Sequence, residues 1–275
     1  MKTKYILFLT LIALAFLTSS CTKEDLVNPP KVVLNVDWAN RSESVPIPSS
    51  YKVIVDDQTV TYREVSNVLP ELIAGTYPVS IYNPVERITV NSSTATVNTT
   101  NGIIDTSPGW LFYSDLDVTY ENDKEITVTA VMQQQVRLLN IELDITEGNA
   151  NDITSIAASM SGVANMLHMK NGTHTGTGLK VIPVFTRTEN KLTASVRLIG
   201  ITSETQNLTL DITYNDGTKQ QIISDISTKL TDFNIEKHKP VTLKGDTKIW
   251  SRVGFDTIIT EWQIQDSITG DAEEQ

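Results

Sequence analysis

Long stretches of the chain alternate between apolar and polar residues, and this period of two limits the folds that the chain can adopt. In residues 190–200 (NKLTASVRLIG) every second residue from Leu192 to Leu198 is apolar. Successive side chains of a β-strand point to opposite faces, so the pattern predicts a strand with one buried and one solvated face. Three further stretches alternate in the same way: residues 125–132, 136–145 and 207–214.

Turn-forming residues separate the alternating stretches. Asn101-Gly102, Asn171-Gly172 and Asn215-Asp216-Gly217 are typical of tight turns between paired strands. Short strands with frequent turns favour an all-β antiparallel sandwich over alternating strands and helices. Less regular strands are predicted at residues 32–38, 51–55, 59–65, 76–82 and 94–99.

The run Gln133-Gln134-Gln135 lies near the middle of this strand pattern. About seven predicted strands precede it and six or seven follow, which suits two domains of ordinary size. We therefore predict an N-terminal sandwich over residues 32–133 and a C-terminal sandwich over residues 134–250. Residues 251–275 are predicted to form a C-terminal strand and an acidic tail.

One segment departs from the alternation. Between Ile153 and Leu167 the apolar residues recur near helical spacing. The sequence predicts a strand start followed by a short helix or an irregular crossover. Gly162 weakens the helix, since glycine in a helix interior costs about 1 kcal/mol relative to alanine.

The start of the chain has the three parts of a secretory signal peptide. Lys2 and Lys4 precede the apolar run Tyr5–Leu17, and small residues follow it. The run is too short for a membrane span, which needs about 20 apolar residues. Residues 1–20 are therefore predicted to be a signal peptide.

Cys21, the only cysteine in the sequence, directly follows this segment. Leu17-Thr18-Ser19-Ser20-Cys21 resembles the lipobox of bacterial lipoproteins, with Thr18 where leucine is commonest. The alternative is an ordinary signal peptide with an incidental cysteine. An unpaired thiol is unusual in an exported protein, and lipidation accounts for it. Two or more acyl chains anchor a protein stably, so we expect attachment to the outer membrane through Cys21.

The residues after the cysteine carry a second signal. Lys23-Glu24-Asp25 resembles the surface-export signal of Bacteroidetes lipoproteins, and the alternative is a solvated tether. Pro29-Pro30 favours an extended spacer. Residues 21–31 are predicted to be a lipidated tether that leaves the protein exposed at the cell surface.

Charge and composition exclude several other functions. The formal net charge of −11 disfavours nucleic acid as a partner. His168, His174 and His238 form no metal-binding motif, and Ser159 lacks a complete nucleophile elbow. We expect no enzymatic activity, cofactor or metal. The four tryptophans raise the alternative of stacking on sugars, although core or rim positions are the commoner use; they are Trp38, Trp110, Trp250 and Trp262.

Several segments, taken in order, resemble the FimB/Mfa-type fimbrillin anchor family of Bacteroidetes. They are Leu72-Ile73-Ala74-Gly75-Thr76-Tyr77 with Val79-Ser80-Ile81-Tyr82-Asn83, Val136-Arg137-Leu138-Leu139-Asn140-Ile141, Met160-Ser161-Gly162-Val163-Ala164, Leu198-Ile199-Gly200-Ile201, Tyr214-Asn215-Asp216-Gly217, and Phe233-Asn234 ahead of Val241-Thr242-Leu243. The resemblance spans about residues 32–245. It implies two tandem transthyretin-like β-sandwich domains and a role as anchor or accessory subunit of a fimbria in cell adhesion. It also implies fimbrillin subunits as partners and assembly by strand addition. A surface glycan-binding lipoprotein of the Sus type is the alternative function.

The C-terminal stretch 250–265 alternates again, which places Ile259 and Trp262 on opposite faces of a strand. This strand either closes the second sandwich or is offered to a partner. Asp256-Thr257-Ile258 and Asp266-Ser267-Ile268 resemble the Bacteroidetes O-glycosylation triplet.

Overall fold

The structure is a computed structural model that describes residues 28–249 and 259–265. Nearly all regular structure in these residues is β. The strands of the first half are β1 (Lys31–Asp37), β2 (Tyr51–Val55), β3 (Gln58–Tyr62), β4 (Ser66–Val68), β5 (Gly75–Tyr82), β6 (Ile88–Asn91), β7 (Thr94–Val97), β8 (Thr99–Thr100), β9 (Ile103–Ile104), β10 (Phe112–Tyr120), β11 (Glu125–Val131) and β12 (Gln133–Gln134). No helix in the described residues is long and apolar enough to cross a membrane.

The second half continues the pattern. Its strands are β13 (Arg137–Glu147), β14 (Ile153–Ser161), β15 (Met166–His168), β16 (Thr173–Thr175), β17 (Lys180–Val181), β18 (Thr186–Thr188), β19 (Lys191–Leu198), β20 (Asn207–Tyr214), β21 (Lys219–Asp225), β22 (Val241–Lys248) and β23 (Ile259–Gln265). Two 3-10 helices lie at Ala150–Asp152 and Ser227–Lys229. The all-β fold class that the alternation predicts is confirmed.

The first hydrophobic core lies between a three-stranded sheet and a five-stranded sheet. Their strand orders are β11-β1-β4 and β12-β10-β5-β2-β3. β1 is the central strand of the smaller sheet, parallel to β11 and antiparallel to β4. Its even-numbered residues point into the core, because Val32, Leu34 and Val36 are almost fully buried while their neighbours are partly exposed.

The second and larger core lies between two other sheets, ordered β18-β19-β13-β22-β23 and β21-β20-β14-β17-β9-β8. Alternate residues of the long strands fill it. The fully buried ones include Leu139, Ile141, Leu143, Met160, Leu192, Leu208, Leu210, Ile212 and Leu243. Each of these lies in a stretch where the sequence predicted period-two alternation or in a strand paired with one.

One segment of the first half packs with the second core. β6 and β7 join β15 and β16 in a four-stranded sheet, and β9 pairs with β17. Ala95, Val97 and Ile104 consequently belong to the larger core. The strand predicted at residues 94–99 exists as β7, which pairs on one side with β6 and on the other with β15, a strand that follows Gln134 in the sequence. The limits of the two predicted domains stay a prediction.

The strand start predicted at Ile153 is confirmed, because residues 153–161 form β14; the short helix is wrong, and an irregular crossover at residues 162–165 leads to β15 instead. A β-bulge explains the misleading spacing. The register of β14 on β20 shifts between Ile153 and Ser155, so that Ile153 and Ile156 both face core residues of β20. A bulge inserts one extra residue and turns a spacing of two into a spacing of three. β14 ends at Ser161, and Gly162 follows it with a φ of 69°, in the left-handed region that glycine adopts readily.

Candidate functional site

Several predicted site residues lie outside the described residues. These are Cys21, Lys23, Glu24 and Asp25, together with Trp250 and the two triplets at residues 256–258 and 266–268. Their roles stay predictions. The structure does show how the chain that leaves the predicted tether enters the fold.

That entry point is held firmly. The backbone N–H of Asn28 donates to Asp123 Oδ1 at 2.7 Å, and the side-chain amide of Asn28 donates to the same oxygen at 3.1 Å. Lys31 Nζ lies 2.7 Å from Glu125 Oε2. All seven residues of β1 then pair with β11, and a second strand flanks β1 on its other side. A pull on the tether would therefore act on a central strand with neighbours on both sides.

The two cores meet at the side chain of Gln134, which is only 4% exposed. Its amide nitrogen donates to the carbonyls of Val136 at 2.8 Å and Lys237 at 3.0 Å. Its amide oxygen accepts from the backbone N–H of Ser42 at 2.9 Å and lies 3.2 Å from the Ser42 hydroxyl oxygen. The Ser42 hydroxyl also lies 2.5 Å from the carbonyl of His238 and donates to it. The middle of the glutamine run thus joins a loop of the first core to a loop of the second.

Arg137 organises the second of these loops. Its guanidinium is buried: Nε donates to the carbonyl of Lys239 at 2.6 Å, and the two protons of Nη1 are shared among the carbonyls of residues 232, 233 and 235, each at 2.8 Å. The ring of Phe233 lies 5.3 Å from the guanidinium carbon. A guanidinium presents five N–H donors in a rigid fork, which suits several converging carbonyls. Arg137 therefore holds residues 232–239 against the start of β13.

Lys237 and His174 form a second buried contact in the same loop. Lys237 Nζ lies 2.9 Å from His174 Nε2 and donates to the carbonyl of Ile199 at 3.0 Å. Burial, followed by the charge of Arg137, lowers the pKa of Lys237 to about 7. Burial, followed by the charge of Lys237, lowers the pKa of His174 to about 4. Protonation of both Lys237 and His174 is therefore unfavourable in the folded protein.

The histidines do not meet at a common site. His168 and His174 lie on opposite strands of the β15–β16 hairpin, but they occupy adjacent pairs, so their side chains point to opposite faces. His168 Nε2 lies 3.3 Å from the Ser93 hydroxyl. In residues 28–249 and 259–265, no three histidine, cysteine or carboxylate side chains group as metal ligands would.

The C-terminal strand β23 lies at an edge of the five-stranded sheet, antiparallel to β22. A bulge interrupts it at Glu261, whose φ is 56°, and the register on β22 shifts across Gly245. The prediction that Ile259 and Trp262 face opposite sides is therefore wrong: both pack against the larger core. A Cβ at Gly245 would lie 3.0 Å from Trp262 Cε3, so the missing side chain leaves room for the indole.

The other described tryptophans also pack within the protein. Trp38 is 7% exposed and lies edge-on to Phe112. Trp110 touches both cores and is covered by the guanidinium of Arg197, 5.2 Å from its ring. Trp262 donates from Nε1 to the Ser224 hydroxyl at 2.8 Å. These three rings are held by protein contacts of their own.

Sequence reasoning assigned no role to Gln134, Arg137, His174 or Lys237. Arg137 enters the sequence argument only within the family-like segments, which also contain Gly75, Gly162, Gly200 and Gly217. Gly200, for example, lies under the ring of His174. Arg137 is the one residue of this group with a local signal in the sequence. It lies in an alternating strand, and an arginine there is rarely buried without partners.

The sequence matches the family model of the fimbrillin-A associated anchor proteins Mfa1 and Mfa2 over residues 55–267. The match covers the larger core and the part of the first core that follows residue 54. A comparison with curated protein sequences finds no match.

Solved structures share the fold. The fimbrial anchor protein Mfa2 from Porphyromonas gingivalis is 11% identical, with a TM-score of 0.58 over 87% of this chain and 98% of that chain. A candidate adhesin from Bacteroides ovatus is 16% identical, with a TM-score of 0.58 over 76% and 88%. A candidate polysaccharide-binding protein from Bacteroides thetaiotaomicron is 8% identical, with a TM-score of 0.57 over 86% and 98%. At these identities the likeness concerns the fold.

Proposed function

The chain belongs to the family of fimbrillin-A associated anchor proteins Mfa1 and Mfa2, and from this we propose that it is a lipid-anchored outer-membrane subunit that attaches fimbriae in cell adhesion. The observation that carries the proposal is the family match over residues 55–267, because it takes in the larger core, most of the five-stranded sheet of the first core, and the junction residues Gln134 and Lys237. The partners proposed are fimbrillin subunits.

Anchoring is supported by the start of the chain. Cys21 follows an apolar export segment, and Lys23-Glu24-Asp25 suits delivery to the outer face of the membrane. Lys31 lies ten positions beyond Cys21, and a fully extended chain covers about 3.5 Å per residue. The tether thus reaches at most about 35 Å. It enters a strand that is hydrogen-bonded on both sides, which suits a connection that bears load.

Attachment of the fimbria by strand addition is supported by the position of β23. This strand pairs only with β22 in the described residues and leaves its outer edge unpaired. An exposed edge is the usual docking place for an added strand. β23 is the last strand of this sheet. It is either a fixed part of the sandwich or a strand that a partner takes up or displaces.

The Sus-type alternative has less support. Its binding site would need aromatic rings offered to sugars, and the three described tryptophans are packed against the protein. The fold that the chain shares with a candidate polysaccharide-binding protein does not distinguish the two functions, because the identity is 8%.

Co-purification tests the proposal. The protein is tagged in its native host. The outer membrane is solubilised with detergent, and the tagged protein is captured from the extract. We expect the fimbrillin encoded nearby to be retained in a stoichiometric complex. Saturable binding to a polysaccharide without any retained fimbrillin would overturn the proposal in favour of the Sus-type function. Deletion of residues 255–275 separates the two roles of β23, since a fixed strand is needed for fold stability and a donated strand only for assembly.

A further inference from the structure

A wide groove runs along the junction of the two cores. Its volume is about 1590 Å³. One wall is the loop that contains Arg41 and Glu43, on the side of the first core. The other wall is the 228–241 loop of the second core, and the end of β23 closes one side at Ile264 and Gln265. The groove is therefore bounded by both cores and by an unpaired strand edge.

The charge of the groove differs in sign from that of the chain. Its lining carries four cationic and three acidic side chains, although the whole sequence has a net charge of −11. The four cations are Arg41, Arg137, Lys229 and Lys239, and the three acids are Glu43, Asp232 and Glu236.

Two of the four cations already have partners. Arg137 donates to four backbone carbonyls, and Lys239 pairs with Glu236 at 2.8 Å. Arg41 and Lys229 form no ion pair within the described part of the chain. The Arg41 guanidinium is poorly satisfied, since its Nε is buried without an acceptor and its Nη1 reaches the Ser42 carbonyl only at 3.4 Å. A carboxylate is the ligand that an unpaired guanidinium binds best.

The groove also presents apolar side chains. Ile235 is 60% exposed and Ile264 is 48% exposed, and both line the groove. An exposed isoleucine by itself is ordinary, but two beside one concave surface favour a ligand with apolar groups. Aliphatic walls suit a peptide side chain better than a sugar, which stacks on aromatic rings.

We infer that this groove receives an extended segment of a partner protein in which carboxylate and apolar side chains alternate. The carboxylates pair with Arg41 and Lys229, and the apolar side chains cover Ile235 and Ile264. The end of β23 supplies backbone groups to such a segment. The inference rests on the proposed function in one respect: a fimbrial subunit is the protein that supplies the segment.

The first test uses a fluorescein-labelled synthetic peptide of alternating aspartate and valine, with binding followed by fluorescence anisotropy on the full mature chain. We expect saturable binding that weakens about tenfold or more, roughly 1.4 kcal/mol, in the Arg41→Gln/Lys229→Gln double variant and in Ile235→Ser. Lys170→Gln and Val184→Ser are the matched controls, because both residues are exposed and lie outside the groove. The controls should bind as the unchanged protein does.

Three results would overturn the inference. Equal binding of a lysine–valine peptide would remove the carboxylate requirement. Tighter binding of polygalacturonate than of the peptide would identify the ligand as an acidic polysaccharide. Binding of the peptide only after residues 266–275 are deleted would make the chain's own acidic segment the occupant.

A second measurement separates this inference from the proposed function. The groove variants are used in the co-purification with fimbrillin. If the unchanged protein retains fimbrillin and the groove variants retain it equally well, the inference fails while the proposed function stands. If the unchanged protein retains none, the proposed function fails.

Discussion

The imidazole of His174 lies against the backbone of Gly200, so closely that a Cβ on Gly200 would come within 2.0 Å of His174 Cδ2. The same Cβ would lie 2.8 Å from Asn234 Oδ1. Asn234 itself exchanges two hydrogen bonds of 2.9 Å with the backbone of Ile201. The absence of a side chain at residue 200 is therefore what allows the β16 strand and the 228–241 loop to close on the end of β19.

Gly200→Ala should lower the free energy of unfolding by about 1–3 kcal/mol, the usual cost of overpacking a buried site. The backbone at Gly200 is not in the left-handed region, so the loss comes from the clash rather than from the main chain. Urea unfolding measures it. The loss should be smaller in a His174→Ala background, where the nearest clash is gone. A full loss in that background would show that His174 is not the cause.

Lys237 and His174 should make the stability of the protein depend on pH. Both pKa values are lower in the folded than in the unfolded chain, so the unfolded chain binds more protons. Their stabilising contribution is complete above the unfolded pKa and is lost as pH falls, between about 10.5 and 7 for Lys237 and between about 6.5 and 4 for His174. Unfolding free energies measured across this range should therefore decrease toward low pH.

Variants isolate this pair from the carboxylates that also titrate in acid. Lys237→Met should flatten the dependence above pH 7, and His174→Ala should flatten it between about 6.5 and 4. His168→Ala is the matched control, since His168 lies on the other face of the same hairpin. Identical slopes for His174→Ala and His168→Ala would contradict the assignment.

Gln134→Ala should weaken the junction of the two cores. The variant leaves the Lys237 carbonyl and the Ser42 N–H without their partner, and an unsatisfied buried group costs about 1–3 kcal/mol. Gln135→Ala is the matched control, because among the described residues the side-chain amide of Gln135 donates to the neighbouring Gln133 carbonyl and to no other loop. Small-angle scattering should show a broader distance distribution for Gln134→Ala than for Gln135→Ala. The same distribution for both would mean that other contacts fix the junction.

Gly245→Ala should loosen β23. The added methyl group would lie 3.0 Å from both Trp262 Cε3 and Ile259 Cγ2, the two side chains that hold this strand on the larger core. Hydrogen exchange over residues 259–265 should become faster while β13 stays protected. Thr242→Ala on the same strand is the control, because Thr242 is only partly buried and faces the other side of the sheet. Unchanged exchange in Gly245→Ala would show that the strand does not depend on this contact.

The sequence predicted the strands well because a strand that is buried on one face alternates between apolar and polar residues. The strands centred on β11, β13, β19 and β20 appear where the alternation placed them. The alternation misled the prediction at β-bulges, where one strand carries an extra residue but stays paired in the sheet. The bulges at Ile153–Ser155 and at Glu261 each change the phase, and nothing in a single sequence marks such a shift.

The junction was harder to predict than the strands. A run of three glutamines is typical of a solvated connection, yet Gln134 and Gln135 are 4% and 9% exposed. The burial of Gln134 depends on loops that lie 92 residues before it, at Ser42, and 103 residues after it, at Lys237. Pairing of β7 with β15 is likewise non-local. Such contacts need the fold before they can be assigned.

The most direct test of the account replaces Cys21 with alanine in the native host and measures where the fimbriae are. Cys21 precedes the described residues, which begin at residue 28, and we expect the variant to keep the unfolding curve of the parent protein. We expect Cys21→Ala protein and its fimbriae to be released into the medium, while the parent retains both in the outer-membrane fraction. Fimbriae that stay on the membrane together with an unlipidated Cys21→Ala protein would contradict the account.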